Sequence, residues 1–184
     1  MKNLLCIIPL AVLLCFAFAC QNKAEKAELE KFRAQAKVEE QNKALVKQYL
    51  EALDSGSVEK ALVAADATLA PDIISHLAEG DSEGIEHIKN NLKSEYESWA
   101  DIQHPIEQIT AEGDIVVTRI TWKGKQNGIF MGIPATGKEI SFPLMYVFRF
   151  EGGKIKERWL DYDSLLSAMT QLGMELKPKE AEKK

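Results

Sequence analysis

The sequence of 184 residues lacks several features on which common activities depend. It has three cysteines, and Cys6 and Cys15 lie in an apolar N-terminal stretch, so Cys20 is the single thiol that follows it. No Gly-rich phosphate loop and no Gly-x-Ser-x-Gly nucleophile elbow is present. The three histidines do not have zinc-ligand spacing. We therefore predict no metal, no other cofactor and no cysteine nucleophile.

Basic charge is scarce as well. Lys and Arg number 23 against 28 Asp and Glu, which gives a net charge of −5. A nucleic-acid footprint requires a basic face, and neither a basic cluster nor a pattern of stacking aromatics occurs. The composition therefore predicts that nucleic acid is not a partner.

Long hydrophobic runs are missing beyond the N-terminus, and the apolar run there is short for a membrane-spanning helix. Residues 1–19 combine a single charge at Lys2, an apolar stretch and small residues before Cys20, as in an export signal. Ordinary cleavage after residue 19, lipoprotein processing and an uncleaved anchor are the alternatives. Acylation of Cys20 would account for an odd exported thiol. We predict a bacterial membrane-anchored lipoprotein that faces the periplasm or the cell exterior.

Residues 20–42 are rich in Ala, Glu, Lys and Gln, which favour helix. Their apolar stripe is thin, so we predict a charged helical spacer; a dimerising coiled coil is the alternative, although sustained heptads are absent. Residues 174–184 form a charged tail. The folded domain is therefore predicted to span residues 43–173.

Helical periodicity opens that domain. One helix is predicted over Lys43–Gly56, and a second, capped by Ser57, must end before Pro71. Asp81 or Ser82 is the predicted cap of a third helix. Its apolar positions have helical spacing: Ile85, Ile88, Leu92, Tyr96 and Trp99.

Strands follow the helices. The predicted hairpin turns lie at Gly113-Asp114, Asn127-Gly128 and residues 151–154. The predicted strands around them are Ile106–Glu112, Ile115–Trp122, residues 139–150 and the segment that ends at Asp163. Residues 139–150 are apolar on both faces, which predicts a strand between two layers. Residues 164–172 should form a closing helix. Helices followed by consecutive hairpins predict an α+β fold with an antiparallel sheet.

Three phrases in the second half of the chain, GIFMGIPATGKEISF, FRFEGGKIKERWLDYD and QLG, resemble the SnoaL-like polyketide cyclase (ester cyclase) family of the NTF2-like superfamily. The resemblance continues upstream through NKALVKQYLEALDSG, APDIISH and AEGDIVVTRITW, and covers roughly residues 42–173. It implies a curved antiparallel sheet around a cone-shaped cavity closed by the N-terminal helices. It also implies a possible homodimer through the outer sheet face.

The resemblance designates site residues. Asp163 matches the general acid/base of the characterised cyclases, and His76, the second predicted catalytic residue, matches a histidine that can face the cavity mouth. Gln126 stands where many members carry histidine, and glutamine cannot shuttle protons at neutral pH. Asp163 also precedes a helix, so an N-cap role is the structural alternative. We further predict that these residues line or orient the ligand: Trp159, Gln126, Tyr146, Phe142 and Arg119.

Alternation along the last strand supports part of this assignment. Counted from Asp163, Trp159 and Glu157 share its inward face, whereas Arg158 points away. An inward Glu157 requires a cation, for which Arg119 is a candidate.

Two functions remain open. The first is cofactor-free acid/base cyclisation or isomerisation of a small carbonyl-containing or polyketide-like molecule. The second is a non-catalytic ligand-binding or assembly module at the membrane surface.

Overall fold

The computed structural model describes residues 4–77, 80–161 and 165–174. The helices are α1 (Leu4–Leu53), α2 (Val58–Thr68), α3 (Ile85–Ser98) and α4 (Leu165–Leu172). The strands are β1 (Leu69–Leu77), β2 (Gly80–Glu83), β3 (Trp99–Gln103), β4 (Ile106–Glu112), β5 (Ile115–Gln126), β6 (Glu139–Glu151) and β7 (Lys154–Asp161). Asp163, the catalytic residue predicted from the resemblance, lies outside the described residues.

The chain divides into two units, Met1–Val38 and Glu39–Lys184. The first contains most of α1, with exposed side chains over residues 23–38. Among the described helices, none combines the length and the apolar character that crossing a membrane requires. The second unit contains the end of α1 and all other elements.

The sheet of the second unit is mixed. Its strands are ordered β2-β1-β7-β6-β5-β3, and β4 pairs with the first half of β5. All pairs are antiparallel except β1 with β7, which are parallel. The α+β prediction is thus confirmed, with helices packed on a curved, unclosed sheet, but the purely antiparallel sheet was wrong. Turn residues in the sequence predict only pairs of consecutive strands. The parallel pair joins β1 and β7, which are separated by most of the domain's sequence, so no turn signal could predict it.

Several local signals gave the predicted structure. Ser57 caps α2 by accepting a hydrogen bond from the Lys60 amide at 3.3 Å, and α2 ends at Thr68. The hairpin between β6 and β7 has Gly152 and Gly153 at φ 59° and 79°, the left-handed values that a primed turn requires. In each case a side chain or a backbone angle within a few residues determines the geometry.

The predicted cap of the third helix was wrong. Asp81 and Ser82 lie in β2, where they pair with His76 and Ser75 of β1. Helix α3 begins at Ile85 after Gly84, which has φ 90° and offers no side-chain cap. The pairing of β1 with β2 outweighs the capping preference of Asp81 and Ser82, because it provides hydrogen-bond partners for several backbone N–H and C=O groups.

The short hairpin predicted at Asn127-Gly128 was also wrong. Strand β5 extends to Gln126 and β6 begins at Glu139, so residues 127–138 form a long loop with one internal bridge, Phe130 to Ile133. Gly128 is needed for another reason: a Cβ there would lie 2.3 Å from the Glu97 carbonyl oxygen. The glycine permits close approach of the loop to the end of α3.

The two faces of β6 differ. One face is buried against the helices and includes Leu144, Tyr146 and Phe148. The opposite face carries Pro143 and Met145, and Met145 is 42% exposed. The prediction that β6 is covered on both sides was therefore wrong for the described part of the chain. The main core lies on the inner side and includes Val46, Leu50, Ile73, Ile120 and Ile155.

Candidate functional site

A cavity of about 470 Å³ lies between α3, the end of α1, the inner face of the sheet and the 127–138 loop. This volume is within the usual range for small-molecule sites. Its apolar lining includes Leu53, Ile88, Leu92, Ile129, Met131, Leu144, Leu160 and Ala168. Polar side chains reach it as well, so the cavity combines a large apolar surface with a few groups that could orient a ligand.

Aromatic rings form one wall of the cavity. Trp99 and Trp122 meet edge to face with centroids 4.9 Å apart, and each is only 5% exposed. Phe142 stacks on Trp122 at 5.0 Å and 17°, and Phe130 meets Trp99 at 5.1 Å. Because rings in such contact are held rigidly, this wall is suited to a flat apolar ligand at little entropic cost.

Two charged side chains line the same cavity. Glu95 of α3 accepts a hydrogen bond from Trp122 Nε1 on its Oε1 at 2.9 Å. Arg158 of β7 is 7% exposed and donates from Nε to Ser75 Oγ at 2.8 Å. A carboxylate and a guanidinium in one largely apolar space give the cavity an acceptor and a donor.

Two tyrosines near the cavity have neutral hydroxyls, and of these Tyr49 lines the cavity. Burial raises the pKa of Tyr49; the positive charge of Arg158 acts in the opposite direction, and Glu95 adds to the increase. Burial, with Glu95, raises the pKa of Tyr96 to about 12, and its hydroxyl donates to the Leu53 carbonyl. Both hydroxyls therefore stay protonated at neutral pH.

His104 also reaches the cavity lining. It is almost fully buried, and its Nδ1 lies 2.7 Å from Asp54 Oδ1. A carboxylate on Nδ1 favours a proton on that nitrogen and fixes the ring plane. His104 thus provides an oriented imidazole where the end of α1 meets the cavity.

Of the residues predicted for ligand contact, Phe142 and Tyr146 line the cavity. Trp159 does not belong to the described lining, and Arg158 lies where Trp159 was expected. Glu157 and Trp159 do share one face of β7, as the alternation predicted, but the face that points inward is that of Arg158. The strand has an irregularity between Glu157 and the buried Ile155, because Arg149 pairs with Glu157 but Phe150 pairs with Ile155. One extra residue in β7 reverses the alternation between these points.

His76, predicted at the cavity mouth, takes part in a different group, which we call the edge cluster. Its Nδ1 lies 2.9 Å from Asp81 and its Nε2 lies 2.9 Å from Glu157. Its ring stacks on Trp159 at 4.5 Å, and Arg149 pairs with Glu157. The hydrogen bond to Glu157 is the main cause that raises the pKa of His76, and that same bond lowers the pKa of Glu157.

The other predicted ligand residues lie away from the described lining. Arg119 is 53% exposed and pairs with Glu107 at 2.9 Å, so it is not the partner of Glu157. Gln126 is fully buried. Its Nε2 donates to the Gly128, Ile133 and Pro134 carbonyls, and its Oε1 accepts from Thr136. In this structure Gln126 holds the 127–138 loop.

Sequence reasoning missed Tyr49, Glu95 and Arg158 as cavity residues. For Glu95 a signal existed, since it lies three residues after Leu92 and four before Trp99, on the apolar face of α3. For Arg158 none existed, because the irregularity in β7 is visible only in the paired strands. Within the described ranges, no group of three His, Cys, Asp or Glu side chains could hold a metal ion.

The chain belongs to the SnoaL-like polyketide cyclase family, whose profile matches residues 43–172. This range contains every cavity residue named above. No curated protein matches the chain.

Solved structures agree with this membership. TsrD from Streptomyces laurentii is 28% identical over 71% of this chain and 92% of its own, with a TM-score of 0.62. AclR, a candidate hydroxylase from Streptomyces galilaeus, is 26% identical over 72% and 95%, with a TM-score of 0.63. A candidate SnoaL-like polyketide cyclase from Jannaschia sp. CCS1 is 24% identical over 75% and 96%, with a TM-score of 0.66. These names differ in activity, so the shared fold does not by itself specify a reaction.

Proposed function

We propose that the domain binds a small, largely apolar molecule that carries a carbonyl group. The observation that supports this is the cavity itself, with a rigid aromatic wall and the buried guanidinium of Arg158 in one space. The apolar wall would supply most of the binding free energy, and Arg158 or Tyr49 would donate a hydrogen bond to the carbonyl oxygen.

Prodan, a naphthalene ketone whose emission shifts to the blue in apolar surroundings, tests this proposal. We expect the protein to bind prodan with a blue shift. Leu160→Trp, which fills the cavity, should weaken binding at least about tenfold, or ~1.4 kcal/mol. The matched control is Val63→Trp, because Val63 is 69% exposed on α2. A wild-type protein without a blue shift, or equal binding by both variants, would reject the proposal.

Catalysis is the second candidate. The SnoaL-like family membership and the position of Asp163 in its pattern favour cofactor-free proton transfer, with cyclisation or isomerisation as the outcome. Asp163→Asn keeps a capping side chain and removes the base. Loss of turnover of an activated keto-ester with unchanged prodan affinity would support catalysis by Asp163. Equal turnover by the wild type and Asp163→Asn would exclude Asp163 as the base. His76 remains a proposed participant only if His76→Gln also lowers turnover.

We also propose that residues 1–19 direct export and that an acylated Cys20 anchors the mature protein to a bacterial membrane. The N-terminal sequence pattern and the odd thiol support this. Mass spectrometry of a membrane fraction should show diacyl or triacyl mass on Cys20. An unmodified mature N-terminus would refute it.

The homodimer through the outer sheet face is a further proposal, which light scattering of the purified protein tests.

A further inference from the structure

We propose that Glu95 is a general base of the cavity and that Arg158 stabilises the enolate formed when Glu95 removes a proton beside the ligand's carbonyl. This inference rests on the proposed binding function, since it requires a carbonyl-bearing ligand in the cavity. It assigns the chemistry to two residues on α3 and β7 and not to Asp163.

The position of Glu95 suits a base. The helix directs it toward the sheet between the buried side chains of Leu92 and Trp99. Trp122 Nε1 binds one carboxylate oxygen at 2.9 Å, and within the described residues no hydrogen bond reaches the other oxygen. A carboxylate held through one oxygen, with the second available to a ligand, has the geometry that general-base catalysis requires.

Arg158 supplies the complementary charge. Its Nε is engaged by Ser75, yet none of the described carboxylates forms an ion pair with it. A buried cation of this kind favours an anionic partner strongly. Tyr49, Glu95 and Arg158 all line the same cavity. A ligand beside Tyr49 could therefore reach the carboxylate and the guanidinium together.

The reaction step balances without a co-reactant. Glu95 takes the proton from the carbon next to the carbonyl, and the C–H electron pair becomes the carbon–carbon double bond of the enolate. The carbonyl π pair moves to the oxygen, where Arg158 donates hydrogen bonds to the developing negative charge. The proton then returns from the Glu95 carboxylic acid to carbon, at the same position or at a conjugated one. Exchange or isomerisation is the net result.

The test is hydrogen–deuterium exchange of 2-tetralone in D₂O, followed by NMR with the full-length protein. We expect the protein to accelerate exchange at the carbons next to the carbonyl, and Glu95→Gln to lower that rate by ~10²–10⁴-fold. A blue shift of prodan with Glu95→Gln would show that the cavity of this variant is still formed. Glu97→Gln, an exposed carboxylate on the same helix, is the matched control and should exchange like the wild type.

Two further variants keep the test informative. Glu95→Asp shortens the side chain by one methylene and should lower the rate even if Glu95→Gln folds poorly. Trp122→Phe removes the hydrogen bond that orients the Glu95 carboxylate, so it should lower the exchange rate of the wild type but not the residual rate of Glu95→Gln. A purely structural effect of Trp122 would lower both rates.

The outcomes separate the two proposals. If Asp163→Asn abolishes exchange and Glu95→Gln does not, this inference is wrong while the binding function stands. If the wild type binds prodan but exchanges 2-tetralone no faster than Glu95→Gln, the inference is wrong as well. If the wild type does not bind prodan, the proposed function fails and the inference fails with it.

Discussion

Strand β7 carries two adjacent charged residues with opposite surroundings, Glu157 in the edge cluster and Arg158 in the cavity. Glu157 is held by Arg149 and His76. Arg158 has a neutral partner, Ser75, and forms no ion pair with any residue that the structure describes. The edge cluster therefore satisfies its own charges, whereas the cavity keeps charge that a ligand could satisfy. Charge that lacks an internal partner is the better indicator of a binding site.

The largest expected effect is on the free energy of unfolding and comes from β6, the strand that pairs with β7 beside both the edge cluster and the cavity. Phe148 of β6 is fully buried, stacks with Tyr146 at 5.3 Å, and lies opposite Arg158. Phe148→Ala should lower the free energy of unfolding by ~3–5 kcal/mol, because it removes a large core side chain. Urea denaturation measures this. Met145→Ala, on the exposed face of the same strand, should change it by less than ~0.5 kcal/mol. Similar losses in the two variants would contradict the assignment of the inner face.

The next largest effect on stability is expected from Gln126→Ala, which should alter the cavity and leave the edge cluster unchanged. Gln126→Ala leaves loop carbonyls and the Thr136 amide without their partner, which should lower stability by ~1–3 kcal/mol. Prodan affinity should also fall, because the loop carries Ile129 and Met131 to the lining. The NMR titration of His76 should stay as in the wild type. Asn127→Ala is the control, and a shifted His76 titration would contradict the independence of the two regions.

The edge cluster should show its own pH dependence. The raised pKa of His76 means that its contribution is complete below its ordinary value of 6.5 and is lost as pH rises through the folded-state value. The lowered pKa of Glu157 means that its contribution is complete above 4.5 and is lost on further acidification. Both contributions are therefore complete only between these values.

Urea unfolding across about pH 5 to 8 tests this dependence. His76→Gln should flatten the decline in stability above pH 6.5, while prodan binding stays unchanged. His87→Gln is the matched control, because His87 is half-buried and bonds only to Asn91 among the described residues. A decline that persists in His76→Gln would show that another group carries it.

The smallest effect is expected at Arg119. Its ion pair with Glu107 is exposed, so Arg119→Ala should cost less than ~1 kcal/mol. Neither prodan affinity nor the His76 titration should change. Glu107→Ala should cost a similar amount, and the double variant no more than either change alone. A large loss of ligand affinity in Arg119→Ala would restore the prediction that it contacts ligand.

Features of the fold could be predicted where the interacting residues are close along the sequence, and could not where they are distant. Ser57, Gly152 and Gly153 could be assigned because a cap or a turn involves only a few neighbouring residues. The pairing of β1 with β7, and the place of Asp81 in β2, could not, since each depends on strands distant along the chain. Asp163 remains a prediction.

The sequence by itself determined the family and the approximate positions of β4 to β7 and of α4, and it assigned Phe142 to the ligand. Only the tertiary structure decided which charges enter the cavity. A one-residue irregularity in β7 turns Arg158 inward and Trp159 toward His76. Side-chain direction along a strand has a period of two residues, so a single unpaired residue exchanges the two faces, and nothing local in the sequence reveals it.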